Sequence, residues 1–559
     1  MKIRIFSSNV SDHSSLQSHH HHRNSAAPSS ATPRPRSLSE IMAEECISCA
    51  SYLIRKWQVD AGKFGTLSSL FLSDREEAEK LLEATIGLQR AMKYHVKLST
   101  TSDELVGAQA LMQIAMQRLK FEFYAILSAN RNDCVSENRE SAAAAAAAPR
   151  PASESERAVE DLKSVAECMI ACGYGKECVN IYRIVRKSIV DEAIYCLGIE
   201  RLSSAQLKKM EWTALETRIQ RWLSAVNIVV RKLFYREKVI CDAVFSSSKK
   251  IAEACFAAVS RDAAADLFAF AENVCNCKKL LSPEKVFRLL DIYEAISDFW
   301  PDIEFIFSDK LSSAQMKLRE TVRAMLGQFE EAIRKDSAQP PPGGGVHPLT
   351  RYVMNFLEFL GDYAAAVSNI LQDSPLKVRS PASGGDEISR RLSWLILVLL
   401  CKLDGKAAAY DDVALSYLYL ANNLNYVVSK ARNSNLGILI GKNWIREHEA
   451  KVQTYLANYE RIGWSNVISA VPENPAAVTP PSKVREFLEL FYVSFEDACR
   501  KQRSWVIPDP KIREGVKISL AKRILSGYRV LCKQGKRVGL IVRYTPEDLD
   551  NYLADLFKA

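Results

Sequence analysis

Apolar residues recur every three to four positions over most of this chain. Leu111, Ile114, Ala115, Leu119 and Phe123 form one such series. Ile181, Ile184, Val185 and Ile189 form a second, and Trp212, Leu215, Ile219, Trp222, Val226, Val229, Val230 and Leu233 a third. A repeat near 3.6 residues puts these side chains on the inward side of an α-helix. No strand-type alternation followed by a hairpin signal stands out. Proline and glycine clusters at 336–345 (DSAQPPPGGG), 374–385 and 472–482 end helices and make loops. The pattern predicts an all-α protein, an elongated rod of stacked antiparallel helix pairs. No fixed sequence period supports a short-repeat family.

The ends and joints read differently. Residues 1–37 are rich in Ser, His and Pro, with four consecutive histidines at 19–22. Such a composition buries too little surface to fold, so a disordered tail is expected. A helical, coiled segment follows at 38–130. Residues 131–157, with seven consecutive alanines at 142–148 and with Pro149 and Pro151, read as a low-complexity linker. Residues 158–559 form the main helical region. A chain of 559 residues exceeds what one core supports, so several units or a long stack are needed.

WLILVLLC, at 394–401, is the most apolar run. Its eight residues make about two helical turns, far short of the ~20 needed to span a bilayer. It is expected to be a helix buried on all sides, and any membrane contact to be peripheral. The 14 cysteines follow no framework and no secretory signal precedes them, so they are expected to be reduced and used as small core residues. Cys168, Cys172 and Cys178 lack the paired spacing of a zinc site, and no metal or cofactor is expected.

Catalytic signals are sparse. Of eight histidines, five lie in the tail, leaving His95, His347 and His448, none in a nucleophile elbow or an HExxH pair. GILIGKN at 437–443 resembles a phosphate loop only faintly. It is one residue short between its glycines and has Asn443 where Ser or Thr would bind magnesium. An enzyme is not expected.

Charge sharpens the picture. Between positions 498 and 543 stand 13 Lys/Arg against only Asp509 and Glu514, a net of +11. The whole chain carries +9, so the remainder sums to −2. Charge localised in this way points to a polyanion, either nucleic acid or an anionic membrane. On a helix running from Pro510 to Lys533, Ile512, Val516, Leu520, Ile524, Tyr528 and Leu531 share one broad face. Lys511, Lys522, Arg529 and Lys533 fall within about 40° of each other on another. Arg513, Lys517 and Arg523 fall inside the apolar arc, and Gly515 and Gly527 are points where the helix could break. A basic row without acidic partners contributes roughly 1 kcal/mol per cation near an anionic leaflet, about 4 kcal/mol in all. Lys536, Arg537 and Arg543 extend it. Nucleic acid would call for interleaved stacking aromatics. Only Trp505 and Tyr528 are candidates, and Tyr528 is on the apolar face.

Several long motifs resemble one family. They are GYGKECVNIYRIVRKSIVD at 173–191, LGIERLS at 197–203, EWTALETRIQRW at 211–222, HPLTRYVMN at 347–355 and YTPEDLDNYLADLF at 544–557. With SLSEIMAEECISCASYLIRKW at 37–57, they are similar to plant exocyst subunits of the Exo-seventy type. The resemblance implies a non-catalytic rod of stacked helices within the complex that tethers secretory vesicles to the plasma membrane. It implies other exocyst subunits as partners of the N-terminal coil, small GTPases as a further partner class, and a cytoplasmic protein peripheral to the plasma membrane. It also implies that the C-terminal end binds phosphatidylinositol 4,5-bisphosphate. Members often carry two basic residues three apart before the final helix. Here Arg543 matches the second and Leu540 stands at the first, so weaker headgroup selectivity is expected. A specialised relative acting as a scaffold in defence or autophagy-linked transport, outside the full exocyst, is the alternative.

Overall fold

The computed structural model describes residues 38–58, 68–98, 103–130, 152–200, 202–277, 282–372, 387–475 and 480–557. The expected 1–37 tail with its histidine tract lies outside them, as do 131–151 of the expected linker and the break at 374–385. Among the described residues there are helices, turns and loops but no strand, as the periodicity predicts. Two compact units divide the chain, Met1–Leu119 and Lys120–Ala559.

In the first unit α1 (Leu38–Lys56) packs on α2 (Arg75–Leu98). Ala50, Ile54, Leu81 and Leu88 are buried there. The helix α3 (Asp103–Ala129) buries Leu111, Ala115, Leu119 and Phe123, four of the five residues in the first periodic series.

The second unit is a succession of helices, each packed on near neighbours in sequence. Its first helix, α4 (Ala152–Ala171), starts inside the stretch expected to be linker. A three-residue turn reverses the chain into α5 (Gly175–Cys196). There Cys178, Tyr182, Val185 and Ile189 face inward, while Ile184 is exposed. The period selects Cys178 and Tyr182 in place of Ile184, which lies off that face. Next, α6 (Trp212–Ile228) passes through a π-helical turn, Val229–Phe234, into α7 (Tyr235–Val244). A π turn inserts extra residues and re-aims the following stripe. Phe234, Glu237, Cys241 and Val244 thereby turn into the core. Trp222 donates its indole N–H to the Leu267 carbonyl (2.9 Å) in α8 (Lys249–Cys275).

The helical stretch α9 (Val286–Lys335) is 50 residues long. If straight, it would hold Ser297 and Gln315 about 27 Å apart. Instead Gln315 Nε2 donates to Ser297 Oγ (3.2 Å) and Arg319 Nη2 to Tyr293 Oη (3.2 Å). The stretch therefore doubles back between those residues. The sequence places Pro301 in that interval, and proline removes a helical backbone donor.

Then come α10 (Pro348–Asp362), α11 (Ala364–Gln372), α12 (Glu387–Ala407), α13 (Val413–Arg432) and α14 (Lys442–Gly463). The WLILVLLC run lies in α12 and is not buried on all sides. Leu395, Ile396, Val398 and Leu399 are inside, but Trp394 is 45% exposed and Leu397 and Cys401 are also exposed. Spacing of three and four puts these three on the outer face. Arg334 covers part of it, its guanidinium 6.0 Å from the Trp394 ring. No helix among the described residues is long and apolar enough to cross a membrane. The GILIGKN segment follows the helix α13, not a strand, and a side chain at Gly437 would meet the Ala431 carbonyl at 2.8 Å. Cys168, Cys172, Cys178, Cys241, Cys255, Cys277 and Cys532 are buried, whereas Cys46, Cys49, Cys196 and Cys401 are exposed and are not core residues.

The DSAQPPPGGG break is a loop, and it threads inward. Gly343 accepts from Val506 N–H (2.9 Å) and Gly344 takes φ +74. The left-handed φ favours glycine at Gly344, and a Cβ there would also make Leu415 Cδ1, 2.7 Å away, give way. Asn422 Nδ2 donates to the carbonyls of Gly344 (2.8 Å) and Val506 (2.8 Å), tying this loop to the segment that follows Gln502. Asn422→Ala is expected to cost about 1–3 kcal/mol, because it leaves one buried and one partly buried carbonyl without this donor. Chemical denaturation followed by circular dichroism measures this.

Candidate anion-binding surface

The C-terminal helices α15 (Pro481–Gln502), α16 (Pro510–Arg537) and α17 (Pro546–Ala554) carry the basic segment. α16 starts sharply because Asp509 accepts from Ile512 N–H (3.0 Å) and Pro510 occupies the first turn. It runs unbroken through both glycines. A Cβ at Gly515 would meet nothing within 4 Å, whereas one at Gly527 would lie 2.7 Å from Val471 Cγ1. Gly527 therefore serves a close approach.

Three sides of α16 are covered. Phe491 of α15 stacks on Tyr528, with ring centroids 4.5 Å apart. Lys517 Nζ donates to the Ala554 carbonyl (2.7 Å) and Tyr528 Oη to the Tyr544 carbonyl (2.7 Å), so α17 returns along the same side. Burial and the Tyr492 hydroxyl push the Tyr528 phenol well above its ordinary range. On the α14 side, Glu460 accepts from Ser519 Oγ (2.7 Å) and from Arg523 (3.4 Å). These contacts give the cations inside the apolar arc their roles. Arg513 caps the Ile507 carbonyl (3.4 Å), Lys517 the Ala554 carbonyl, and Arg523 pairs with Glu460.

The uncovered side carries the row. Lys511, Lys522, Arg529, Lys533 and Lys536 are all exposed and lie within about 60° on the helix, over a length of about 37 Å. Among the described residues, none of the five forms an ion pair. Arg537 is exposed too, in the last turn but off the row. Arg543 stands apart. It pairs with Glu496 (2.9 Å), and its guanidinium lies 5.3 Å from the Tyr544 ring. Glu496 also accepts from the Tyr544 hydroxyl, and this bond, with burial behind it, pushes that phenol up to about 12. Five of the seven sequence-predicted cations are thus brought into one line.

Leu540 has a structural reason to be apolar. Gly539, at φ +80, ends α16, and Leu540 N–H reaches back to the Gly535 carbonyl (2.9 Å). This is a Schellman closure, in which the residue after the left-handed glycine packs on the helix. Leu540, Val542 and Tyr544 accordingly pack on the core, while Ile541 and Arg543 alternate outward. Ile541 is 98% exposed, and Ile518, 68% exposed, sits between Lys511 and Lys522 on the row. Both exposed isoleucines escaped the sequence reading. Ile518 was detectable from its place on the helical wheel, and Ile541 follows only once Gly539 is recognised as the helix stop. Trp505 and Tyr528 are buried, so neither offers a base-stacking face.

Comparison with known proteins gives a consistent outcome. The family model for the C-terminal region of the Exo70 subunit of the exocyst complex matches residues 220–555, and the model for the N-terminal region of the exocyst complex component Exo70 matches 46–129. The Arabidopsis thaliana exocyst complex component EXO70B1 is 32% identical over 419 residues, 72% of this chain and 66% of that protein. EXO70B2 of the same plant is 31% identical over 421 residues, 72% of this chain and 68% of that protein. The chain thus spans about two thirds of the length of these relatives. The crystal structure of the S. cerevisiae exocyst component Exo70p is similar in fold, with a TM-score of 0.59 and 13% identity, covering 92% of this chain and 100% of that one.

Proposed function

The chain belongs to the Exo70 family, and from that premise we propose that it works as an exocyst subunit tethering secretory vesicles to the plasma membrane, its C-terminal row docking on anionic phosphoinositides. The family is one of structural exocyst subunits and not of enzymes. The observation that carries the membrane half is the line of five exposed cations on α16 without ion-pair partners. At roughly 1 kcal/mol each they supply about 5 kcal/mol at most, a reversible attachment. Durable binding then needs several contacts within one assembly, and other exocyst subunits supply them. The buried Trp505 and Tyr528 weigh against nucleic acid as the polyanion.

Affinity purification of the chain from its native cells tests the exocyst half. The other exocyst subunits are expected to co-purify with it. Recovery of the chain with membranes but without any of them would remove the exocyst role and favour a scaffold in defence or autophagy-linked transport.

A further inference from the structure

We propose that Ile541, with Ile518 as a second contact, is an apolar anchor that enters the outer layer of an anionic bilayer while the cations of α16 hold the headgroups. The proposal rests on the membrane reading of the basic row and adds a contact that charge does not supply.

Ile541 is not a loose side chain. Gly539 at φ +80 and the Leu540 N–H bond to the Gly535 carbonyl fix where the chain leaves α16. Arg543 N–H donates to Tyr492 Oη (3.1 Å), and the next carbonyl, of Tyr544, accepts from Tyr528 Oη. Leu540 and Val542 pack inward on either side. In an extended segment successive side chains point to opposite faces. Leu540 and Val542, partly buried against the core, therefore turn Ile541 out, at 98% exposure, on the same side of the segment as Arg543. This is an isoleucine held in water by a hydrogen-bonded segment that follows directly on the last turn of α16, where Lys536 and Arg537 stand. Ile518 repeats the pairing inside the row, between Lys511 and Lys522. One exposed aliphatic side chain within the cationic row, Ile518, and one just past its end, Ile541, complement a surface with anionic headgroups above an apolar layer. A soluble polyanion would use the cations alone. The geometry is that of an interfacial binder, in which apolar burial and attraction to anionic lipid add.

The test uses the full chain and three variants: Ile541→Asn, Ile541→Phe, and Lys522→Glu with Arg529→Glu and Lys533→Glu. Binding is measured by co-sedimentation with vesicles of phosphatidylcholine containing phosphatidylinositol 4,5-bisphosphate, and by calorimetry with the soluble inositol phosphate headgroup. Ile541→Asn is expected to lower vesicle affinity by about tenfold or more. That ratio should persist as salt is raised, since apolar burial is not screened as charge is. Ile541→Phe should restore vesicle binding, and headgroup affinity should be the same in all Ile541 forms. Equal vesicle binding by wild type and Ile541→Asn, with the charge-reversed variant weakened, overturns the anchor and leaves the basic row standing. Equal loss of vesicle and soluble-headgroup binding in Ile541→Asn also overturns it. Unchanged vesicle binding in the charge-reversed variant overturns the basic row as the membrane-binding surface, and with it the anchor beside that row.

Discussion

Replacing Glu237 with alanine is expected to lower the unfolding free energy by about 3–5 kcal/mol. Glu237 on α7 and Arg186 on α5 are both buried, at 0% and 2% exposure. Glu237 Oε2 accepts from Arg186 Nη2 (2.6 Å) and Nε (2.9 Å), and Oε1 accepts from Tyr182 Oη (2.9 Å). Cys241 Sγ donates to the same Tyr182 hydroxyl (3.2 Å). Burial, with the Glu237 carboxylate next to it, pushes the Tyr182 phenol far up. Truncating Glu237 removes the acceptor of two buried guanidinium N–H groups and of the Tyr182 hydroxyl at once, and the loss of those charge-assisted bonds dominates the cost. Joint replacement, Arg186→Met with Glu237→Leu, removes both charges and should recover part of the stability lost in Glu237→Ala. Equilibrium denaturation followed by circular dichroism separates these cases. A cost below about 1 kcal/mol for Glu237→Ala would mean that water reaches the pair.

That network also marks where sequence reading stops. Apolar periodicity identifies the helices and most inward residues, because a 3.6-residue repeat depends only on local geometry. The same local logic places Lys511, Lys522, Arg529 and Lys533 together, since one continuous helix aligns them whatever packs elsewhere. Contacts between distant residues carry no such signal. Arg186 and Glu237 are 51 positions apart, and the π turn that aims Glu237 inward is not written in any single residue. The fold-back within α9 depends on residues 293–297 meeting 315–319. Arg513, Lys517 and Arg523 looked misplaced in an apolar arc until their partners, the Ile507 carbonyl, the Ala554 carbonyl and Glu460, came into view. WLILVLLC misled because a run of apolar residues hides which of them face outward.

The largest functional effect is expected from reversing charge on the open side of α16. Lys522, Arg529 and Lys533 are exposed and have no ion pair among the described residues, so their replacement by glutamate breaks no ion pair there. Removing three cations forfeits about 3 kcal/mol of attraction, more than a hundredfold in affinity, and the added negative charges repel the leaflet further. Arg543→Glu should act differently. It would place a carboxylate against Glu496 and disturb the segment that holds Ile541, so it tests position as well as charge.

The most direct test of the basic row as the membrane-binding surface is vesicle co-sedimentation of the full chain against the Lys522→Glu, Arg529→Glu, Lys533→Glu variant. The vesicles contain phosphatidylinositol 4,5-bisphosphate, and the helical circular dichroism of both proteins is recorded in parallel. Loss of binding by more than about a hundredfold with unchanged helicity is the predicted result. Undiminished binding by the charge-reversed protein would contradict it.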